Sequence, residues 1–273
     1  KKKYSIIYMT VKEIKALFKG KPRTKPTGRQ IARLERKRIQ DLIDGSQETK
    51  VAVYESPIVG VSQSANTTGV LKILPDISHG VNSWQRTGQK VRLTKLVVRG
   101  HYFINKMGFT AETAGEPSGT EREKFRFLAR RFVLKDKENG NYENVGTSDL
   151  NFLLEAPGAV GQAYDGSLLS HNAPINVGKF TKKRDEKRYL TTKWRQVSTS
   201  GANELSATDN NVIFFKDEYD FGGNGLELLY DGSSQPINFP MFMTMGYATV
   251  NNITKSANID VQLQYVATAY YKD

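Results

Sequence analysis

Between Ile259 and Tyr271, the apolar residues Ile259, Val261, Leu263, Tyr265, Ala267 and Ala269 alternate with Asp260, Gln262, Gln264 and Thr268. A period of two sends successive side chains to opposite faces, so this stretch predicts a strand with one face against a core. Broken versions of the same pattern fill the chain from about residue 50 onward. Val91 to Ile104 alternates, slips one place near Lys95 and resumes, which predicts a long strand interrupted by a bulge. Phe125 to Leu134 reads similarly, with Asn139-Gly140 after it as a hairpin turn. Further strands are predicted at Lys50–Glu55, Val70–Leu74, Gly178–Lys183, Tyr189–Val197, Val212–Asp217, Leu226–Tyr230 and Phe239–Val250. Loops such as 106–122 and 198–210 separate them. Only Ser148–Glu155, with Ser148 as its cap, reads as a helix in this part of the chain. With no strand–helix–strand alternation, the expected fold is all-β, a single antiparallel sandwich or jelly roll.

Charge divides the chain differently. Residues 1–40 carry fourteen of the 40 Lys and Arg but only Glu13 and Glu35 of the 28 acids, so the formal charge of +12 belongs to this end and the remainder is neutral. Such one-ended asymmetry points to a polyanionic partner. The expected contacts are Lys1, Lys2, Lys3, Lys12, Lys15, Lys19, Lys21, Arg23, Lys25, Arg29, Arg33, Arg36, Lys37 and Arg38. Ammonium and guanidinium groups meet phosphates without reading bases, so binding by them is expected to ignore sequence and to weaken with salt. The predicted organisation is a basic nucleic-acid-binding arm over 1–45 and a β domain over 46–273. The bland alternative for the arm is a solvated tail that serves localisation alone.

Within the arm, Thr10-Val11-Lys12-Glu13 has capping-box spacing and leads into Val11, Ile14, Leu17 and Phe18 on one helical face. Pro22 and Pro26 break that helix. A second box, Thr27-Gly28-Arg29-Gln30, opens another helix whose basic face is Arg29, Arg33, Arg36, Lys37 and Arg38, ended by Gly45.

Several chemistries find no support in the sequence. With no Cys, disulfides and Cys-containing zinc sites are excluded. His79, His101 and His171 share no metal-ligand spacing, and His101, within a strand pattern, reads as a packed or surface residue. No nucleophile elbow or phosphate loop occurs, and Gly222-Gly223-Asn224-Gly225 reads as a turn. Asp217, Glu218 and Asp220 form an acidic cluster that reads as a solvated rim rather than a paired-carboxylate site. Asp136-Lys137-Glu138-Asn139-Gly140 departs from calcium-loop spacing and reads as part of the hairpin. No cofactor, metal or catalytic residue is expected. The charged start and the absence of a long apolar run predict a soluble, non-secreted protein without membrane insertion.

Two tryptophans sit beside cations, Trp84 with Arg86 and Trp194 with Lys193 and Arg195. Rings next to cations suit stacking of unpaired bases, so Trp84, Arg86, Trp194 and Arg195 are candidate base-stacking or inner-surface positions. Core or interface packing is the competing use of both rings.

Three features together resemble capsid proteins of the circular, Rep-encoding single-stranded DNA viruses, the circovirus-like group. They are the basic N-terminus, the stretch Gln85-Arg86-Thr87-Gly88-Gln89-Lys90-Val91-Arg92-Leu93 before a long strand, and Tyr270-Tyr271-Lys272-Asp273, similar to the aromatic-Asp endings of that group. The resemblance implies a jelly-roll subunit of a small icosahedral shell, about 60 copies in a T=1 arrangement, with the arm inside on single-stranded DNA. It also implies virion localisation, passage through the host nucleus during assembly, and no catalytic residues. The capped helices depart from the plain Arg-rich arm of that group. The same plan serves capsids of small single-stranded RNA viruses and satellites. A non-capsid nucleic-acid-binding β domain and a lectin-like sandwich are the rival classes.

Overall fold

A computed structural model describes residues 33, 35–36, 49–82, 84–108, 124–199, 202–210, 212–249 and 259–273. The chain divides into two units, Lys1–Gln47 and Glu48–Asp273. Among its described residues the second unit holds twelve strands in chain order: β1 (Thr49–Glu55), β2 (Val59–Val61), β3 (Lys90–Gly108), β4 (Lys124–Asp136), β5 (Leu154–Ala156), β6 (Ala159–Gln162), β7 (Phe180–Thr199), β8 (Ala202–Asn210), β9 (Ile213–Asp220), β10 (Leu226–Leu229), β11 (Met241–Thr249) and β12 (Ile259–Lys272). Two short helices, α1 (Ala65–Thr68) and α2 (Leu168–Asn172), interrupt them.

All named strand pairings are antiparallel. One sheet runs β1-β12-β3-β9, and in the other β4 lies between β11 and β7. Leu71 adds a single bridge to Met243 on the free side of β11. If the segment at Leu71 is counted as the second of eight principal strands, the sheets read 1-8-3-6 and 2-7-4-5 in chain order. That interleaving, in which each strand crosses to the other sheet except at one hairpin-like corner, is an antiparallel jelly roll. The β7–β8 hairpin ties the sheets at one end, because β8 also pairs with Met107 and Gly108 of β3.

The main core lies between the sheets. Val98, Tyr102, Leu263, Tyr265 and Phe215 come from one sheet and Ala129, Val133, Met243 and Met245 from the other, in a single buried cluster. At Gly100 the packing leaves no room for a side chain: a Cβ there would stand 2.5 Å from the carbonyl oxygen of Gln264 and 2.7 Å from the Phe215 ring. A second core sits on the outer face of the β11-β4-β7 sheet. Phe132, Leu134, Phe180 and Phe242 point there and are covered by Leu150, Leu153, Tyr164 and Ile175 from the long excursion between β4 and β7.

Most predicted strands form, and the slip near Lys95 is a real bulge. Tyr270 pairs with Lys95 and Tyr271 with Leu93, leaving Thr94 to donate its hydroxyl to the Tyr270 carbonyl at 2.9 Å. Other expectations are corrected. Val70–Leu74 contributes only the Leu71 bridge. The strands expected at Gly178–Lys183 and Tyr189–Val197 are one strand, β7, with an irregularity in its pairing to β4 where Val133 meets Arg184 and Leu134 meets Lys182. Residues 202–210, expected within a loop, form β8. Ser148–Glu155 is a single 3-10 turn at Asp149–Phe152 running into β5, and Ser148 is itself helical with no side-chain cap bond. The carboxylate of Asp149 instead accepts the Gly146 N–H at 2.8 Å and pairs with Lys179. Asn139-Gly140 is not a hairpin: Asp136 accepts the N–H groups of Glu138 and Asn139 at 2.7 Å, and the partner strand of β4 begins about forty residues later.

Candidate nucleic-acid interface

Of the fourteen cations expected to meet phosphates, Arg33 and Arg36 are described; both are helical and exposed. The other twelve, and the two capped helices as wholes, lie outside the described residues. Trp194 and Arg195 sit on β7, opposite Ala207 and Ser206 of β8, with their side chains also outside the described residues.

Trp84 and Arg86 are described, and they do not form a platform. Trp84 is half exposed, but Arg86 is 1% exposed. Its guanidinium donates to the carbonyls of Ile77 (3.1 Å), Gly88 (2.6 Å) and Ser233 (3.0 Å) and lies over the Tyr230 ring at 4.3 Å. A cation buried this completely, with three of its five N–H groups on carbonyls, fixes loops and is out of reach of a phosphate or base. The Arg86 expectation is therefore corrected to a structural role.

Around Arg86 the chain closes a clasp. Asp273 accepts the Thr87 N–H at 2.6 Å and the Thr87 hydroxyl at 2.5 Å, and it pairs with Lys50 at 3.1 Å. Tyr271 donates to the Trp84 carbonyl at 2.6 Å. Burial works against the Asp273 charge, but the Thr87 hydrogen bonds and Lys50 outweigh it and hold the carboxyl below its usual range. Burial, then the Asp273 charge, pushes the Tyr271 phenol up to about 12.

A second ionic group lies inside the sandwich. Arg131 of β4 has a fully buried side chain that pairs with Glu186 of β7 at 2.5 Å and with Asp217 of β9, and it lies over the Phe215 ring at 3.9 Å. The acidic cluster expected as a solvated rim is thus split: Asp217 is buried on the core face, while Glu218 points outward to Lys95 and Lys216. Desolvation opposes the charge on Glu186, yet Arg131 and then Arg188 keep its carboxyl below the usual range. Tyr102 and Tyr219 bring buried hydroxyls without hydrogen-bond partners, and burial raises both phenols. Arg130, on the opposite face of β4, holds Asp185 with two 2.9 Å bonds and donates to the carbonyls of Ser170, His171 and Ala173. Both arginines join elements of the fold. Neither was singled out in the sequence, where a buried Arg looks like any other.

His171 is buried beside Arg130, with its Nδ1 3.2 Å from the Tyr164 hydroxyl. Burial first, then the charges of Lys187 and Arg130, push its pKa down to about 4, so it is neutral near pH 7. Among the described residues no cluster of His, Asp and Glu has the makings of a metal site, and no helix is long and apolar enough to cross a membrane.

No known family matches the chain, and no curated protein matches it. Solved structures similar to it include VP1 of Trichodysplasia spinulosa-associated polyomavirus in complex with sialylated precision glycooligomers, at 12% identity and a TM-score of 0.20, covering 84% of this chain and 96% of that one. The same VP1 alone gives 11% and 0.15, covering 82% and 94%. Its complex with GM1 oligosaccharide gives 11% and 0.16, covering 82% and 95%. The jelly roll described above rests on the strand order of this chain itself.

Proposed function

We propose that the protein is a viral capsid protein whose jelly-roll domain, residues 46–273, self-assembles into a small icosahedral shell while the basic arm, residues 1–45, packages single-stranded DNA. The observation that carries this reading is the joining of a jelly roll of nearly balanced charge to an arm whose first forty residues hold the whole net charge of +12. A neutral body lets copies approach each other, since a strongly charged one would repel them. Fourteen cations against two acids within forty residues suit a polyanion through counterion release. On this reading the protein is structural rather than catalytic, resides in the virion, and passes through the host nucleus.

The circovirus-like assignment, and with it DNA and a T=1 shell, is supported by the stretches 85–93 and 270–273. They are far apart in sequence and meet in the clasp between Asp273 and Thr87. Electron microscopy of the purified full chain, with nuclease digestion of its contents, tests the proposal. Closed shells holding protected single-stranded DNA are the expected result. Absence of particles under all assembly conditions overturns it.

A further inference from the structure

The two outer faces of the jelly roll are treated differently. Phe132, Leu134, Phe180 and Phe242 on one are covered by the excursion between β4 and β7. On the outer face of β1-β12-β3-β9 apolar side chains reach solvent: Val53 is 58% exposed and Phe214 is 75% exposed. Phe214 is directly opposite His101, and the two rings are 5.7 Å apart. His101 in turn stacks on Phe103, two residues along β3, at 5.9 Å and 18°. One rung down, Arg99 stands opposite Lys216. Arg99 is exposed and has no ion-pair partner among the described residues. Glu218, one rung further on, pairs with Lys216 at 2.6 Å, Asp220 lies beyond it, and Glu55 is two strands away.

We infer that this face is a second binding site for unpaired nucleic acid, in which His101, Phe103 and Phe214 stack bases and Arg99 meets an adjoining phosphate. An exposed ring beside two partly exposed ones, with a guanidinium one rung away, supplies the two contacts a single strand uses: sequence-tolerant stacking and backbone charge. Gln264, exposed and opposite His101, adds an amide for base edges. A second copy of the sheet is a poorer occupant, because the contact would bury Arg99, which has no ion-pair partner among the described residues. The inference rests on the packaging reading for the identity of its ligand, but it concerns different residues from the arm.

The test uses the full chain and an oligothymidylate, with sialyllactose as a second probe. Phe214→Ala is expected to weaken oligonucleotide binding on the order of tenfold with the salt dependence unchanged. Arg99→Gln is expected to reduce the salt slope by about 0.7. Phe214→Tyr, which keeps a ring, is expected to bind as the parent does. Ultraviolet crosslinking should place adducts on peptides from β3 and β9. If the full chain binds the oligonucleotide through residues 1–40 while both variants bind as the parent and β3 and β9 carry no adduct, this site is overturned and the packaging reading stands. If the full chain does not bind the oligonucleotide, both fall. Sialyllactose binding that is lost in Phe214→Ala, with oligonucleotide binding unchanged, assigns the face to a glycan and overturns the inference.

Discussion

Asp273 and Thr87 are 186 residues apart in the chain, yet the carboxylate of the first accepts both the backbone N–H and the hydroxyl of the second. With Lys50 on β1 and Tyr271 on β12, they close one end of the β1-β12-β3 sheet. Two stretches that look like separate motifs in the sequence are halves of one contact. Asp273→Ala is expected to cost about 1.5–3 kcal/mol, the range for a hydrogen bond to a charged group. Urea midpoints give the cost, and hydrogen exchange at Thr87 and Gly88 should speed up more than exchange in β4. Unchanged exchange at those two amides would show that the clasp is not holding the segment.

Arg131 links both sheets through Glu186 and Asp217. Replacing it by Met leaves the two buried carboxylates only the half-exposed Arg188 and Arg184, and about 3–5 kcal/mol of stability should be lost. The triple variant Arg131→Met, Glu186→Leu and Asp217→Leu should recover much of that loss, because apolar replacements remove the unpaired charges. Equal instability of the single and triple variants in chemical denaturation would contradict this account.

His171 gives the fold an acid sensitivity. Its folded pKa of about 4 lies below the ordinary 6.5, so under acidic conditions the unfolded chain takes up a proton that the folded one refuses. The stability it contributes is present above pH 6.5 and is lost progressively as the pH falls toward 4. His171→Asn should be less stable than the parent at pH 7.5 and should show a shallower loss between pH 6.5 and 4.5. Parallel pH profiles for the two proteins would remove His171 as the cause.

If about seven arm cations touch a single strand, log K should fall with log salt at a slope of about −5. Deleting residues 1–40 should flatten most of that slope while the β domain stays folded by circular dichroism. Titration of both forms against one oligonucleotide at several salt concentrations measures it. An unchanged slope in the truncated form would place the phosphate contacts elsewhere.

Strands with clean alternation, such as β12 and β3, were legible because one face meets the core and the other meets water. The Thr94 bulge was legible as well, since a slip of one residue reverses the facing of everything after it. β7 was not. Its run from Lys182 to Arg188 contains seven consecutive charged residues, which mimics a solvated break between two strands. The structure turns that run into a ladder: Asp185 meets Arg130 on one face of β4 and Glu186 meets Arg131 on the other. The same blindness placed Asp217 on a rim, because a sequence shows charges but not the partner that makes their burial tolerable. Arg86 misled in the opposite direction. Its proximity to Trp84 suggested a shared surface, whereas its guanidinium runs inward to three carbonyls.

The position of β12 sets a timetable for making the protein. It is the last of the strands to be synthesised, yet it lies in the middle of its sheet, between β1 and β3. Until it arrives, β1 has no partner strand and one long side of β3 stays open. Contacts of such sequence separation form late and slowly, so a ribosome-bound chain exposes unpaired strand edges until β12 has emerged. The basic arm leaves the ribosome ahead of the β domain, so on the packaging reading it can meet a polyanion before the β domain can meet another copy.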